Sequence, residues 1–165
     1  MNTATAMELE TRIDIPQCTR VPMVDLLNQQ LADTFDLYSQ VKQAHWNVKG
    51  MNFMSLHVLF DDLAANFDRY ADDIAERATA LGGLAKGTAR MAAENSQMEE
   101  LPSEMTDGKE FVIAMADRFA AYGASSRAAI KRAEDENDAV TADLFTEITR
   151  EVNKSLYFLE SHLQG

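Results

Sequence analysis

The sequence predicts an all-α fold in which four long helices form a bundle, with a long crossover connection between the second and third. Only three prolines and seven glycines interrupt the 165 residues, which favours a few long elements over many short ones. Apolar residues recur three and four positions apart in four separate stretches, as in amphipathic helices. One connection, residues 84–105, exceeds the usual helix–helix loop, as a crossover requires.

The length favours one domain with its own core, and we divide the chain into an arm and a helical domain. Residues 1–20 form the arm because they are polar, carry a net charge of −1 and show no helical stripe. We expect this arm to be mobile or to lie on the surface. Residues 21–165 form the helical domain.

The first helix is expected to begin near Pro22, because proline suits the first turn of a helix. Its apolar stripe runs to His45, which therefore falls on the buried face. The stripe consists of Val24, Leu27, Leu31, Phe35, Tyr38, Val41 and His45.

The second helix follows a break at Gly50 and Asn52, and either Asn52 or Ser55 is suited to cap it. It should stop at Gly82-Gly83. Residues 84–105 then cross the bundle, with room for a short helix. The apolar face of the second helix comprises Leu56, Phe60, Leu63, Phe67, Tyr70, Ile74 and Leu81.

A third long helix is expected to start at Thr106 or Asp107, since Asp107 with Glu110 resembles a capping box. The acidic run 134–138 predicts the next turn. The last helix carries its own stripe of Val140, Leu144, Ile148, Val152, Leu156, Leu159 and Leu163.

The formal charge of −12 argues against a surface that binds duplex nucleic acid, since such surfaces need Lys and Arg. It suits a protein that attracts cations, although solubility is the better explanation of the charge taken alone. The lone Cys18 fits a reducing compartment. No apolar run approaches the roughly 20 residues of a membrane span, and residues 1–10 lack the features of a secretory signal. We therefore expect a cytoplasmic location.

Histidines and carboxylates at helical spacing mark the stretch from His45 to Glu76 as a candidate metal site. His57 and Asp61 are four residues apart, and so are Asp72 and Glu76. With His57 at zero on a helical projection, the three carboxylates lie at about 40°, 60° and 100°. Asp61 and Asp72 are nevertheless about 16 Å apart along the axis, while metal–ligand bonds measure about 2 Å. One helix therefore carries two half-sites.

A second, antiparallel copy of this helix would bring each half-site against the other half of its partner. The donors, imidazole and carboxylate, suit iron or zinc better than calcium or magnesium. The Glu-x-x-His pattern of di-iron bundles is absent, because Lys42, Met54 and Leu159 precede the three histidines by three residues. The sequence thus predicts a metal site shared between subunits.

The same stretch resembles the Dps family, the mini-ferritins first described as DNA-binding proteins of starved cells. A weaker likeness extends over residues 22–163. The matching elements are His45-Trp46-Asn47, Gly50, Phe53, Leu56-His57, Asp61, Asp72, Ala75-Glu76-Arg77 and Leu81-Gly82-Gly83.

The resemblance implies a ferritin-like bundle and a hollow shell of twelve subunits. It implies a ferroxidase that oxidises Fe²⁺ with hydrogen peroxide or oxygen and stores the ferric mineral, thereby protecting DNA. Its iron site would be catalytic, with Trp46 close by, and zinc is a possible substitute. The ligands would be His45, His57 and Asp61 of one subunit facing Asp72 and Glu76 of its two-fold mate.

A second acidic group, Asp138, Asp143 and Glu147, begins the last helix. Similar residues in Dps-like proteins line a three-fold pore for ferrous iron. Helix capping explains Asp138 equally well. His162 is expected to interact with the helix dipole rather than to bind metal.

Two alternatives remain. In the first, the chain is a nucleoid-associated Dps protein whose main role is to condense DNA. In the second, it forms a shell without oxidation activity. Condensation would call for a basic tail, which the sequence lacks, so DNA binding is expected to be weak or absent.

Overall fold

The computed structural model describes residues 9–164, and within that range it contains five helices and no β-strand. The predicted all-α class and the four long helices are confirmed. The crossover contains a short helix, for which the connection had room. The helices are α1 (Gln17–Asn47), α2 (Phe53–Ala80), α3 (Ala89–Asn95), α4 (Gly108–Asp135) and α5 (Ala139–Ser161).

The four long helices form two hairpins, α1 with α2 and α4 with α5, and α3 lies against α1. Each hairpin pairs antiparallel helices through a short turn, whereas the crossover joins one hairpin to the other. None of the described helices is long and apolar enough to span a bilayer.

The start of α1 differs from the prediction. The helix begins at Gln17 rather than near Pro22, so Pro22 lies inside it. Tertiary contacts hold the additional turn: Arg20 donates hydrogen bonds to the carbonyls of Ile15 (3.1 Å) and Leu81 (2.9 Å). Ile15 also packs on the core. These contacts offset the backbone hydrogen bond that proline cannot make.

The arm prediction falls partly outside the described residues, which exclude 1–8. From residue 9 the chain is held against the end of α2, where Leu9 N–H donates to the Gly82 carbonyl at 2.8 Å. Gly82 has φ +86°, and a Cβ there would lie 2.5 Å from the Leu9 oxygen. Glycine is therefore required at this point, and the predicted end of α2 is confirmed. The division into arm and domain stays a prediction.

An aromatic cluster joins the two hairpins in the core. The ring of Phe67 on α2 lies 5.2 Å from Phe119 and 5.1 Å from Tyr122, both on α4. The edge-to-face geometry adds about 0.5–1.5 kcal/mol per pair beyond burial. The Tyr122 hydroxyl is paired with Thr34 Oγ1 on α1 at 2.7 Å, so α1 joins the same cluster.

Arg118, which is buried, fixes the end of the crossover. Its guanidinium donates to Gln40 Oε1 (2.6 Å) and to the carbonyls of Glu99 (3.1 Å) and Glu100 (2.6 Å). The crossover then returns to the first hairpin, where Lys49 N–H donates to the Thr106 carbonyl at 2.9 Å. These bonds hold the α1–α2 turn in place beside the start of α4.

Of the helix caps predicted for α4 and α2, the first is present and the second is not. Asp107 caps α4 as expected, accepting from the N–H groups of Lys109 and Glu110. Asn52 precedes α2, but its side chain makes no cap hydrogen bond, and Ser55 Oγ donates to the Asn52 carbonyl instead. The backbone of Asn52, at φ −96° and ψ 17°, lies outside the extended region from which a cap side chain reaches back.

Candidate metal half-sites

The first half-site lies where α1 ends and α2 begins. His45 Nδ1 is 2.8 Å from the His57 carbonyl oxygen, and His57 Nδ1 is 2.9 Å from the His45 carbonyl oxygen. A carbonyl can only accept, so both Nδ1 atoms carry the proton. In the neutral imidazoles each Nε2 then keeps its lone pair, the arrangement that metal-binding histidines adopt.

The local sequence forces these histidines together. Gly50, at φ +106°, provides the tight turn between the helices. The two imidazole rings stack with centroids 3.8 Å apart, and Phe53 packs on His57 at 5.1 Å. The ring positions are therefore fixed by stacking and by hydrogen bonds before any metal binds.

Asp61, one turn beyond His57, completes this cluster. Its Oδ1 lies 2.7 Å from Lys42 Nζ and 3.9 Å from His45 Nδ1. The hydrogen bond from Lys42 is the main cause that lowers the pKa of Asp61. An ionised carboxylate is thus present beside the two imidazoles, and it is already paired with the Lys42 ammonium group.

The second half-site, Asp72 and Glu76, lies further along α2, and both residues are exposed. Since α2 is continuous from Phe53 to Ala80, Asp61 and Asp72 are about 16 Å apart along its axis. Within residues 9–164 no group of three or more His, Cys, Asp or Glu side chains is arranged to hold a metal ion. One chain places Asp61 beside the paired His45 and His57, without forming a complete set of metal ligands, and leaves Asp72 and Glu76 apart from them.

The predicted pore residues separate into two kinds. Asp143 and Glu147 are exposed and line a groove of about 560 Å³ between α2 and α5, which Glu76 also lines. Asp138, by contrast, is buried. Its Oδ1 lies 2.7 Å from Arg77 Nη2 and accepts from Thr141 N–H at 3.1 Å.

Asp138 is therefore a helix cap and ion-pair partner in this chain, the alternative that the sequence had left open. Burial acts to raise the pKa of Asp138, but hydrogen bonds from Thr141 and Arg77 outweigh it and leave the pKa below its usual value. His162 donates from Nδ1 to the Phe158 carbonyl at 2.7 Å, as expected for an imidazole at a helix end.

The ion pairs of three cationic residues were not predicted from the sequence. Lys42 pairs with Asp61, and Arg77 pairs with Asp138. Arg69 bridges α2 and α5 by contacting both Glu147 and Glu151. Only Lys42 left a signal, since it lies three residues before His45 and so on the same helical face.

Trp46 follows His45 and is 62% exposed, with Lys42 Nζ over its ring at 5.8 Å. Other large apolar side chains near the same turn are also exposed. They include Met51, Met54 and Val58, exposed by 103%, 65% and 49%.

The family model and the sequence relatives that match this chain agree on its family. A Ferritin-like domain model matches residues 24–165. The DNA protection during starvation protein of Agrobacterium fabrum is 34% identical over 155 residues, covering 94% of this chain and 96% of that protein. The protein of the same name from Halobacterium salinarum is 30% identical over 168 residues, covering 98% and 90%.

Solved structures agree with the sequence relatives. The archaeal Dps homologue from Halobacterium salinarum superimposes with a TM-score of 0.91 at 26% identity, over 99% of this chain and 91% of that one. Dps from Staphylococcus aureus gives 0.82 at 32% identity, over 87% and 95%. The resemblance predicted from residues 45–83 is confirmed: the chain belongs to the ferritin-like family and, within it, to the Dps proteins.

Proposed function

We propose that this chain is the subunit of an iron-storage and detoxification protein with ferroxidase activity. Ferrous iron is its substrate, and hydrogen peroxide or oxygen is the oxidant. The ferric product is stored as a mineral inside a hollow shell of twelve subunits. Removing iron and peroxide together protects DNA from oxidative damage.

The observation that carries this proposal is the reciprocal pairing of His45 and His57. It leaves an Nε2 lone pair on each imidazole, and the ionised Asp61 lies 3.9 Å from His45 Nδ1. Imidazole and carboxylate are the donor types that bind iron. The same donors accept Zn²⁺, which we expect to compete for the site.

The second half-site supplies what the first lacks. Asp72 and Glu76 of a two-fold mate would add two carboxylates to the imidazole half. A site rich in anionic oxygen stabilises Fe³⁺ more than Fe²⁺, because the interaction grows with the charge of the ion. The overall reaction consumes two Fe²⁺, one H₂O₂ and two protons, and yields two Fe³⁺ and two waters.

Self-association is supported by the exposed apolar side chains around the first half-site. Trp46, Met54 and Val58 project from the two helices that carry His45 and His57. Several large apolar side chains exposed in one region are typical of subunit contacts. An isologous contact through α2 would bury it and complete two metal sites at once.

Iron uptake is assigned to Asp143 and Glu147, the exposed members of the acidic group on α5. They line the same groove as Glu76, so a cation attracted there lies close to a proposed ligand. In the proposal Asp138 supports this pore only by holding the start of α5.

The decisive experiment is anaerobic stopped-flow absorbance after mixing iron-free protein with Fe²⁺ and peroxide. The wild type should form ferric absorbance much faster than a His45→Ala/His57→Ala variant. Lys131→Ala/Asp135→Ala is the matched control, since it removes an exposed ion pair on α4 outside both half-sites and should leave the rate unchanged. Equal rates in the wild type and the double variant would rule out oxidation at this site.

A further inference from the structure

A cavity of about 400 Å³ opens where the α1–α2 turn, the start of α4 and the end of α5 meet. Lys49, Lys109 and His162 line it, one from each of these three parts of the chain. Leu56 and Val112, both buried, also line it. The proposed iron ligands are not among the described residues that form its wall.

The cavity is locally basic, although the chain as a whole carries a charge of −12. Within residues 9–164 neither Lys49 nor Lys109 forms an ion pair. Asp107 supplies the one carboxylate among the described lining residues. Its Oδ1 accepts from the backbone N–H groups of Lys109 (2.9 Å) and Glu110 (3.0 Å), so it is engaged in capping α4.

Two further polar side chains, His162 and Asn52, line the same cavity. His162 Nδ1–H donates to the Phe158 carbonyl at 2.7 Å, so in the neutral imidazole Nε2 keeps its lone pair and accepts a hydrogen bond. Asn52 also lines the cavity, and its side chain makes no cap bond to α2. The first turn of α2 contains no acidic residue, so no carboxylate offsets the positive end of the helix dipole there.

We propose that this cavity binds a free oxyanion of the phosphate class. Lys49 and Lys109 provide the charge, and the Asn52 amide donates to an anion oxygen, a hydrogen bond that the charge of the anion strengthens. His162 Nε2 accepts from the P–O–H group of hydrogen phosphate. The shape favours a free ion over the backbone of a duplex. A concave site with two ammonium groups fits one tetrahedral anion, whereas a duplex needs an extended row of cations that a chain at −12 lacks.

The test is calorimetric titration of inorganic phosphate into the assembled, iron-free protein at constant ionic strength. The key variant is Lys49→Met/Lys109→Met. Lys86→Met/Lys131→Met is the matched control, because it removes the same charge from other surfaces of the same chain. We expect saturable binding in the wild type and in the control, and a loss of about tenfold or more in affinity in the key variant.

Three results would overturn the proposal. They are a wild-type titration that does not saturate, an equal loss of phosphate affinity in both double variants, and a heat signal that any salt of the same ionic strength reproduces. A duplex that binds through Lys49 and Lys109 and is not displaced by phosphate would also overturn it and assign the surface to nucleic acid. If the key variant fails to assemble, Asn52→Ala replaces it, since the Asn52 side chain makes no cap hydrogen bond to α2. That variant should bind phosphate several-fold more weakly, and unchanged affinity would refute the site.

Discussion

Lys42 places its ammonium nitrogen 2.7 Å from Asp61 Oδ1, beside the paired imidazoles of His45 and His57. The lysine neutralises a carboxylate that the proposed iron site needs. At the proposed iron site Lys42 would compete with ferrous iron for Asp61, because its ammonium already contacts Asp61 Oδ1.

The first prediction follows from this competition. Lys42→Met should raise the initial rate of iron oxidation at limiting Fe²⁺ by a small factor, about fivefold or less, because an exposed ion pair is weak. Stopped-flow absorbance at low and saturating iron measures it, and the gain should vanish at saturation. Lys131→Met is the control, because its partner Asp135 lies on α4 away from the site. A lower rate would mean that Lys42 positions Asp61 productively.

The second prediction concerns the two halves of the site. His45→Ala/His57→Ala and Asp72→Ala/Glu76→Ala shells should each oxidise iron slowly. Shells co-assembled from the two variants should recover activity, because some interfaces combine one intact half from each chain. Mixed shells no faster than the separate variants would exclude a site shared between subunits.

Features set by residues close together in the sequence were predictable, whereas features set by contacts between distant residues were not. Helical stripes and Gly82-Gly83 are local signals, and they located the long helices. The separation of Asp61 from Asp72 needs only the rise of a continuous helix, so this distance was also predictable. The start of α1 was not, because Arg20 holds that turn by bonding to Leu81, far away in sequence.

The acidic group on α5 shows the same division. Its residues look alike in sequence, yet Asp138 faces Arg77 from α2 while Asp143 is exposed. Spacing along one helix cannot reveal which acid meets a cation from another helix. For the same reason the bridging role of Arg69 between α2 and α5 left no trace in the sequence.

The third prediction tests the uptake route. Asp143→Asn/Glu147→Gln should slow iron uptake at low salt, because it removes negative potential from the α2–α5 groove. The difference should shrink as salt rises and screens the field. Glu134→Gln/Asp135→Asn, in the last residues of α4, is a control of equal charge. Unchanged uptake with intact shells would remove Asp143 and Glu147 from the route.

The fourth prediction assigns Asp138 to stability. Asp138→Asn leaves Arg77 without its carboxylate, and we expect a loss of about 3 kcal/mol near neutral pH. The folded pKa of Asp138 is lowered, so its contribution is present above the unfolded pKa of about 3.9 and is lost as pH falls through the folded value. Thermal unfolding should therefore show a large gap in Tm near neutrality that closes in acid. A gap independent of pH would show that the charge of Asp138 is not involved.

The last prediction concerns DNA, which appears in the names of the sequence relatives. Duplex binding draws its free energy from cations that neutralise phosphates and release counterions. This chain has 27 acidic residues against 15 Lys and Arg, and its first 20 residues have a net charge of −1. A shell of such chains should repel DNA, with the repulsion screened beyond roughly 8 Å at physiological salt. We expect no retardation of plasmid by iron-free shells in a gel-shift titration near neutral pH.

Protection without binding is tested with the same protein. Peroxide and Fe²⁺ should nick plasmid less when wild-type shells are present, and the His45→Ala/His57→Ala variant should lose that protection. Tight retardation that weakens as salt rises would instead favour condensation of DNA as the main role.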